Sequence, residues 1–134
     1  MAKIADIEGI GPVATEKLGA VGLKTVEALL EAGKTKKGRK ELAEKTGLSE
    51  KNILGWVNRA DLFRIRGVGE EYSDLLEASG VDTVVELSKR VPANLHKKMV
   101  EVNAEKKLVR QLPTEKAVES WVEQAKELDR VVEY

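Results

Sequence analysis

Two short runs, Gly9-Ile10-Gly11 and Gly67-Val68-Gly69, are the residues whose types and spacing could do chemistry. Each sets two glycines around one apolar residue, immediately before a stretch with helical periodicity. Glycine permits tight backbone turns that a Cβ would obstruct. The helix that follows presents unpaired N–H groups at its N-terminus, so the turn and helix together form a natural pocket for an anion or phosphate. Such a pocket reads backbone geometry, not bases. A lone Gly-x-Gly says little. Here each is followed by an amphipathic helix, a Gly-apolar-x-Thr turn (Gly22–Thr25, Gly80–Thr83) and another helix.

The flanks make the two runs unequal. Pro12, Val13 and Ala14 follow the first, with Glu8 before it; Glu70 and Glu71 follow the second. Those two carboxylates suit a helix dipole but repel a phosphate, and Pro12 removes one donor. The first run is expected to be the better phosphate site. The second is expected to serve packing or protein contact, although Arg64 and Arg66 lie beside it. The competing reading is that both turns only pack the units together.

Lys34, Lys36, Lys37, Arg39 and Lys40 form the clearest basic patch, suited to contacting a phosphate backbone; a solvated, mobile loop is the plainer reading. Arg59, Arg64 and Arg66 could extend it. His96, the one histidine, has no partner at metal-ligand spacing and is expected on a helix surface. Trp56, Trp121 and Tyr72 are expected to anchor cores and not to stack on bases. No Ser/His/Asp set, nucleotide-binding loop or spaced acid cluster of a metal-dependent nuclease is present. An enzyme is not expected, nor a resident cofactor or metal.

The wider composition sets bounds on the partners. The 134 residues carry 23 basic and 23 acidic side chains and no cysteine. A nucleic-acid domain is usually basic, so strong non-specific binding is disfavoured overall. Charge is nonetheless uneven: residues 34–60 carry a net +5, whereas residues 1–33 and 61–92 carry −2 and −3. No disulfide or thiolate site can form. The N-terminal residues lack the apolar run of a signal peptide, and no stretch approaches a membrane span. The expectation is a soluble, cytoplasmic chain with no membrane partner.

An internal repeat organises these features. Ile7–Leu29 aligns with Ile65–Leu87 at an offset of 58, with identities at Ile7, Gly9, Gly11, Leu18, Ala20, Gly22, Thr25, Val26 and Leu29. The identities fall on glycines, apolar positions and a capping threonine. Similarity resumes at an offset of 65, where Trp56–Ala60 resembles Trp121–Ala125.

Helix signals fill the rest. A short helix near Lys3–Ile7 precedes the first turn. Pro12 opens a second helix ending near Val21, with Gly22 as a left-handed cap. Thr25 caps a third, stopped by Gly33. Lys34–Gly38 reads as a basic loop, and Arg39–Thr46 as a short helix. Ser49 opens a helix to Ile65 with Ile53, Trp56, Val57, Ala60 and Phe63 on one face. Helices then follow from Glu70 to about Ser79, from the capping box Thr83–Glu86, from Asn94 to about Val109, and from Pro113-Thr114 onward. Val131–Tyr134 reads as a tail.

With these residues in hand, the chain resembles the helix–hairpin–helix motifs of DNA-repair and recombination proteins, among them junction-binding proteins, ligases and glycosylases. More closely, Trp56–Leu62, Arg64–Leu76, Gly80–Val84 and Asn94–Val100 resemble a widespread microbial family of small proteins described only as a domain of unknown function. That similarity runs over nearly the whole chain. The motif class implies non-specific DNA binding, sometimes with a monovalent cation on hairpin carbonyls. In that class Lys, Arg, Ser or Thr usually follows the second glycine, and this chain departs from the pattern at both copies.

The expected fold is therefore all-α: tandem helix–hairpin–helix units in a pseudo-twofold duplication, each followed by a Trp-bearing helix, in a compact bundle like the SAM and helix–hairpin–helix folds. Residues 1–61 would form the first repeat and 62–134 the second. The expected function is non-enzymatic binding of nucleic-acid phosphates, on duplex or branched DNA, through Gly9, Ile10, Gly11, Lys34, Lys36, Lys37, Arg39, Lys40, Arg64, Arg66, Gly67, Val68 and Gly69. The alternative is a protein-interaction module that keeps the scaffold without binding DNA.

Overall fold

Hydroxyl caps punctuate the chain. Thr25, Thr35, Thr83 and Thr114 each accept a hydrogen bond from the backbone N–H three residues on, at 3.0–3.1 Å, and Ser49 does the same for Asn52. Each such cap is worth about 1 kcal/mol to its helix. The computed structural model describes residues 3–7 and 9–133; Glu8 lies outside them. Among the described residues there are a 3-10 turn at Ile4–Asp6 and eight α-helices: α1 Pro12–Ala20, α2 Val26–Gly33, α3 Lys36–Thr46, α4 Glu50–Leu62, α5 Glu70–Ala78, α6 Val84–Ser88, α7 Pro92–Lys106 and α8 Glu115–Glu127. There is no strand, only an isolated bridge between Lys3 and Thr25.

The chain divides into two compact units, Met1–Asp61 with Val131–Tyr134, and Leu62–Arg130. In the first, buried apolar residues include Ile4, Ile7, Ile10, Leu18, Leu29, Ile53 and Val57, and Val132 joins them. The second has its own core, in which Leu62, Ile65, Leu75, Leu76, Leu87, Met99, Val118 and Trp121 are among the buried residues. Aliphatic side chains dominate both, as the scarcity of aromatics requires.

Hydrogen bonds recur 58 residues apart. Ile7 N–H donates to Ile4 O and Ile65 N–H to Leu62 O; Ile10 to Ile7 and Val68 to Ile65; Leu23 to Leu18 and Val81 to Leu76; Leu29 to Thr25 and Leu87 to Thr83, all at 2.8–3.2 Å. Gly9 and Gly67 have φ of 90° and 94°, and Gly22 and Gly80 have 87° and 95°.

The structure corrects the sequence reading in three places. The segment 34–38 is not a loop, because α3 begins at Lys36. Thr35 caps it, and a Cβ at Gly38 would collide with the Ala32 carbonyl. The glycine there serves a close approach between α2 and α3 and does not break a helix. The helix expected to reach Ile65 stops at Leu62, and that expected to reach Val109 stops at Lys106. Lys107 then takes a left-handed conformation, φ 52°, and the Asn103 side chain takes over the pairing of Val109: its Oδ1 accepts from the Val109 N–H and its Nδ2 donates to the Val109 carbonyl.

The third correction concerns the tail. Residues 131–133 are irregular, but they are fastened to the first unit. Glu133 N–H donates to the Lys34 carbonyl at 2.7 Å, and the Arg39 guanidinium donates to the carbonyls of Gly33 and Glu133. Val132 is buried beside them in sequence. Arg39 itself is only 4% exposed.

Two stability outcomes follow. Arg39→Ala leaves two carbonyls without their donor and is expected to destabilise the protein by about 2–3 kcal/mol in urea denaturation, whereas Lys37→Ala, at an exposed position, is expected to stay within about 0.5 kcal/mol of wild type. Ser79 is buried at 3% exposure, and its Oγ has no hydrogen-bond partner; the aligned residue in the first unit is Val21. Ser79→Ala is therefore expected to leave stability unchanged or raise it by up to about 1 kcal/mol, read from the same denaturation curves.

Candidate nucleic-acid interface

The first hairpin turns at Gly9 and enters α1 through Gly11, an extended N-cap with φ −84° and ψ 179°. Ile10 is 8% exposed and points its bulk inward, leaving the two glycines at the surface. No side chain caps α1. Pro12 and Val13 are exposed at its first turn, so among the described residues the α1 side of this hairpin is apolar. The Thr15 hydroxyl donates to the Gly11 carbonyl at 2.9 Å, which stiffens the entry to the helix.

The second hairpin has the same frame with different surroundings. Gly69 is the uncapped N-cap of α5, Val68 is buried, and Glu70 and Glu71 are exposed in the first turn. These carboxylates sit at the positive end of the helix dipole and supply locally the negative charge that a phosphate would otherwise bring. Arg64 reaches the Asp129 carbonyl at 3.2 Å, and Arg66 has an exposed side chain.

Each turning glycine lies against an indole. A Cβ on Gly9 would stand 3.8 Å from Trp56 Nε1, and one on Gly67 would stand 3.0 Å from Trp121 Nε1. Trp121 is held in turn by Tyr72, whose ring centroid lies 5.3 Å away, and the Tyr72 hydroxyl donates to the Gln111 carbonyl. The tryptophans thus back the turns from their own helices, α4 and α8. Trp121 does so as a core residue, 3% exposed, and Trp56 from a half-buried position.

Gln124 was not legible as a site residue. Its side-chain amide grips the backbone of Arg66 from both sides: Arg66 N–H donates to Oε1 at 2.8 Å, and Nε2 donates to the Arg66 carbonyl at 3.2 Å. The pair imitates one rung of a β-ladder and fixes the residue just before Gly67. A signal existed, because Gln124 follows Trp121 at the same interval as Arg59 follows Trp56. Arg59 is itself 6% exposed, which removes it from a surface patch.

The basic segment is split. Lys36, Lys37 and Lys40 are exposed on α3, Lys34 pairs with Glu31 at 2.8 Å, and Arg39 is buried against the tail. The hydrogen bonds of this corner run to α2 and to residue 133, and none among the described residues joins it to Gly9–Gly11. Arg64, Arg66, Gly67, Val68 and Gly69, by contrast, are brought together on one turn. His96 is half-buried, and its Nε2 donates to the Pro113 carbonyl at 2.9 Å, since a carbonyl can only accept. Among the described residues no group of three or more His, Cys, Asp or Glu could hold a metal ion, and no helix is long and apolar enough to cross a membrane.

Residues 8–128 match the family model described as Domain of unknown function (DUF4332). The chain belongs to that family. The matched span takes in Gly9–Gly11, Gly67–Gly69 and both tryptophan helices of this DUF4332 chain. No curated protein and no solved structure matches it.

The two glycines of one hairpin are predicted to respond differently to a Cβ. Gly67→Ala meets both a positive φ and the Trp121 ring, and is expected to cost about 2–3 kcal/mol. Gly69 has φ −119° and open space around it, so Gly69→Ala is expected to stay within about 0.5 kcal/mol of wild type. Thermal unfolding of the two variants reads the contrast.

Proposed function

We propose that the chain is a tandem helix–hairpin–helix protein that binds nucleic-acid phosphates without sequence specificity and without catalysis. The observation that carries this reading is the pair of hairpins: a left-handed glycine, one buried apolar residue and an exposed glycine leading into an uncapped helix, found at Gly9–Gly11 and again at Gly67–Gly69. Backbone N–H groups aimed out of such a turn recognise an anion by shape and partial charge. The residues proposed as contacts are Gly9, Gly11, Gly67 and Gly69 with the exposed Lys36, Lys37, Lys40 and Arg66.

The reading assigns the two hairpins different weights. The first is apolar on its α1 side, and its unit holds the exposed lysines of α3. The second carries Glu70 and Glu71 at its mouth, which favours a protein contact there over a phosphate. The chain's zero net charge fits weak, salt-sensitive association better than a tight complex.

Fluorescence anisotropy on labelled duplex, junction and single-stranded DNA at low salt tests this. Wild type is expected to bind, with affinity falling as salt rises. Lys36→Glu/Lys37→Glu/Lys40→Glu is expected to weaken binding by about tenfold or more and to flatten the salt dependence. Glu70→Lys/Glu71→Lys is expected to tighten it severalfold. No complex with any of the three DNA forms would overturn the proposal in favour of a protein-interaction module.

A further inference from the structure

The first unit contains a cleft that its hairpin does not use. It lies between the 3-10 turn and α1, has a volume of ≈ 260 Å³ and opens to solvent on one side. Ile4, Ala5, Gly19 and Leu23 make it apolar, and Lys3 and Lys24 stand at its edge. Both lysines are exposed, and no ion pair among the described residues engages either ammonium. The other polar side chain in its wall, Thr15, has its hydroxyl turned to the Gly11 carbonyl. The carboxylate of Asp6 accepts from the Lys3 backbone N–H at 2.9 Å. A ligand in the cleft therefore meets a hydrocarbon surface, with two exposed lysines among the residues that line it.

The second copy carries different residues at the positions that line this opening. At the offset of 58, Ala5 aligns with Phe63 and Gly19 with Glu77, while Lys3 and Lys24 align with Asp61 and Asp82. The two small residues that leave room are replaced by large ones, and both lysines are replaced by aspartates, of which Asp61 is buried. Gly19 is the telling position. It lies within α1, where glycine is a poor helix former, and a Cβ there would meet nothing within 4 Å. Packing does not require glycine at 19; what glycine supplies is space over the cleft.

We propose that this cleft is a binding site for a small apolar carboxylate, such as a medium-chain or aryl-alkyl acid, with the hydrocarbon between Ile4, Ala5, Gly19 and Leu23 and the carboxylate between Lys3 and Lys24. The volume suits a ligand smaller than most drug-like molecules. The site is separate from the hairpin mouths and does not depend on the nucleic-acid reading.

Titration of the ¹⁵N-labelled full chain with octanoate, and with octanol as its neutral match, tests the proposal. Octanoate is expected to shift backbone resonances of residues 3–5, 19 and 23–24, and octanol to bind more weakly. Ala5→Phe and Gly19→Leu, which place in the cleft the bulk found in the other copy, are expected to abolish binding while the circular-dichroism spectrum stays native. Lys3→Gln/Lys24→Gln is expected to weaken octanoate by roughly fivefold and to leave octanol unchanged. This pair alters only exposed side chains, so it keeps the test decisive if a cleft-filling variant fails to fold. The proposal is overturned by absent or scattered shifts with octanoate, by binding that survives both filling substitutions, or by octanol binding as well as octanoate.

Discussion

A backbone turn with φ near +90° admits glycine and little else, and in each unit that turn rests against an indole. Gly9 and Trp56 make one such pair, Gly67 and Trp121 the other. The glycine lets the chain reverse without a Cβ, and the ring packs beside the place the Cβ would have taken, closely at Gly67 and at ordinary contact distance at Gly9. Because the tryptophan belongs to a helix far along the sequence, the contact also sets where that helix lies relative to the turn. The buried residue between the glycines, Ile10 or Val68, fixes which side of the loop faces the core. The exposed helix starts at Pro12 and Glu70 are consequences of this geometry.

Much of this was written locally, and so could be read locally. Caps at Thr25, Ser49, Thr83 and Thr114, and left-handed glycines at 22 and 80, depend on residues a few positions apart. The nine identities between the aligned segments fall where the backbone path is most demanding. What stayed hidden depends on long-range partners. Arg39 reads as one more cation in a basic run, yet its guanidinium serves carbonyls at residues 33 and 133, the second 94 positions away. Gln124 reads as a surface residue of α8, yet it holds the backbone of Arg66, 58 positions back. Gly38 was mistaken for a loop marker because nothing local reveals the Ala32 carbonyl above it.

Divergence between the copies follows a pattern. Positions that shape the backbone keep their residue type. Other positions change in charge and size: Val13 against Glu71, Lys3 against the buried Asp61, Lys24 against Asp82, Gly19 against Glu77.

The fastening of residues 131–133 to the first unit has a consequence for how the chain is made. On a ribosome, domains ordinarily complete themselves from the N-terminus onward. Here the first unit awaits Val132 and the carbonyl of Glu133, which are synthesised only after the whole of Leu62–Arg130 has emerged. The second unit is contiguous and can close first. The nascent first unit meanwhile lacks the cover of Val132 and one acceptor of Arg39, so its last contacts form only once residue 133 has been made.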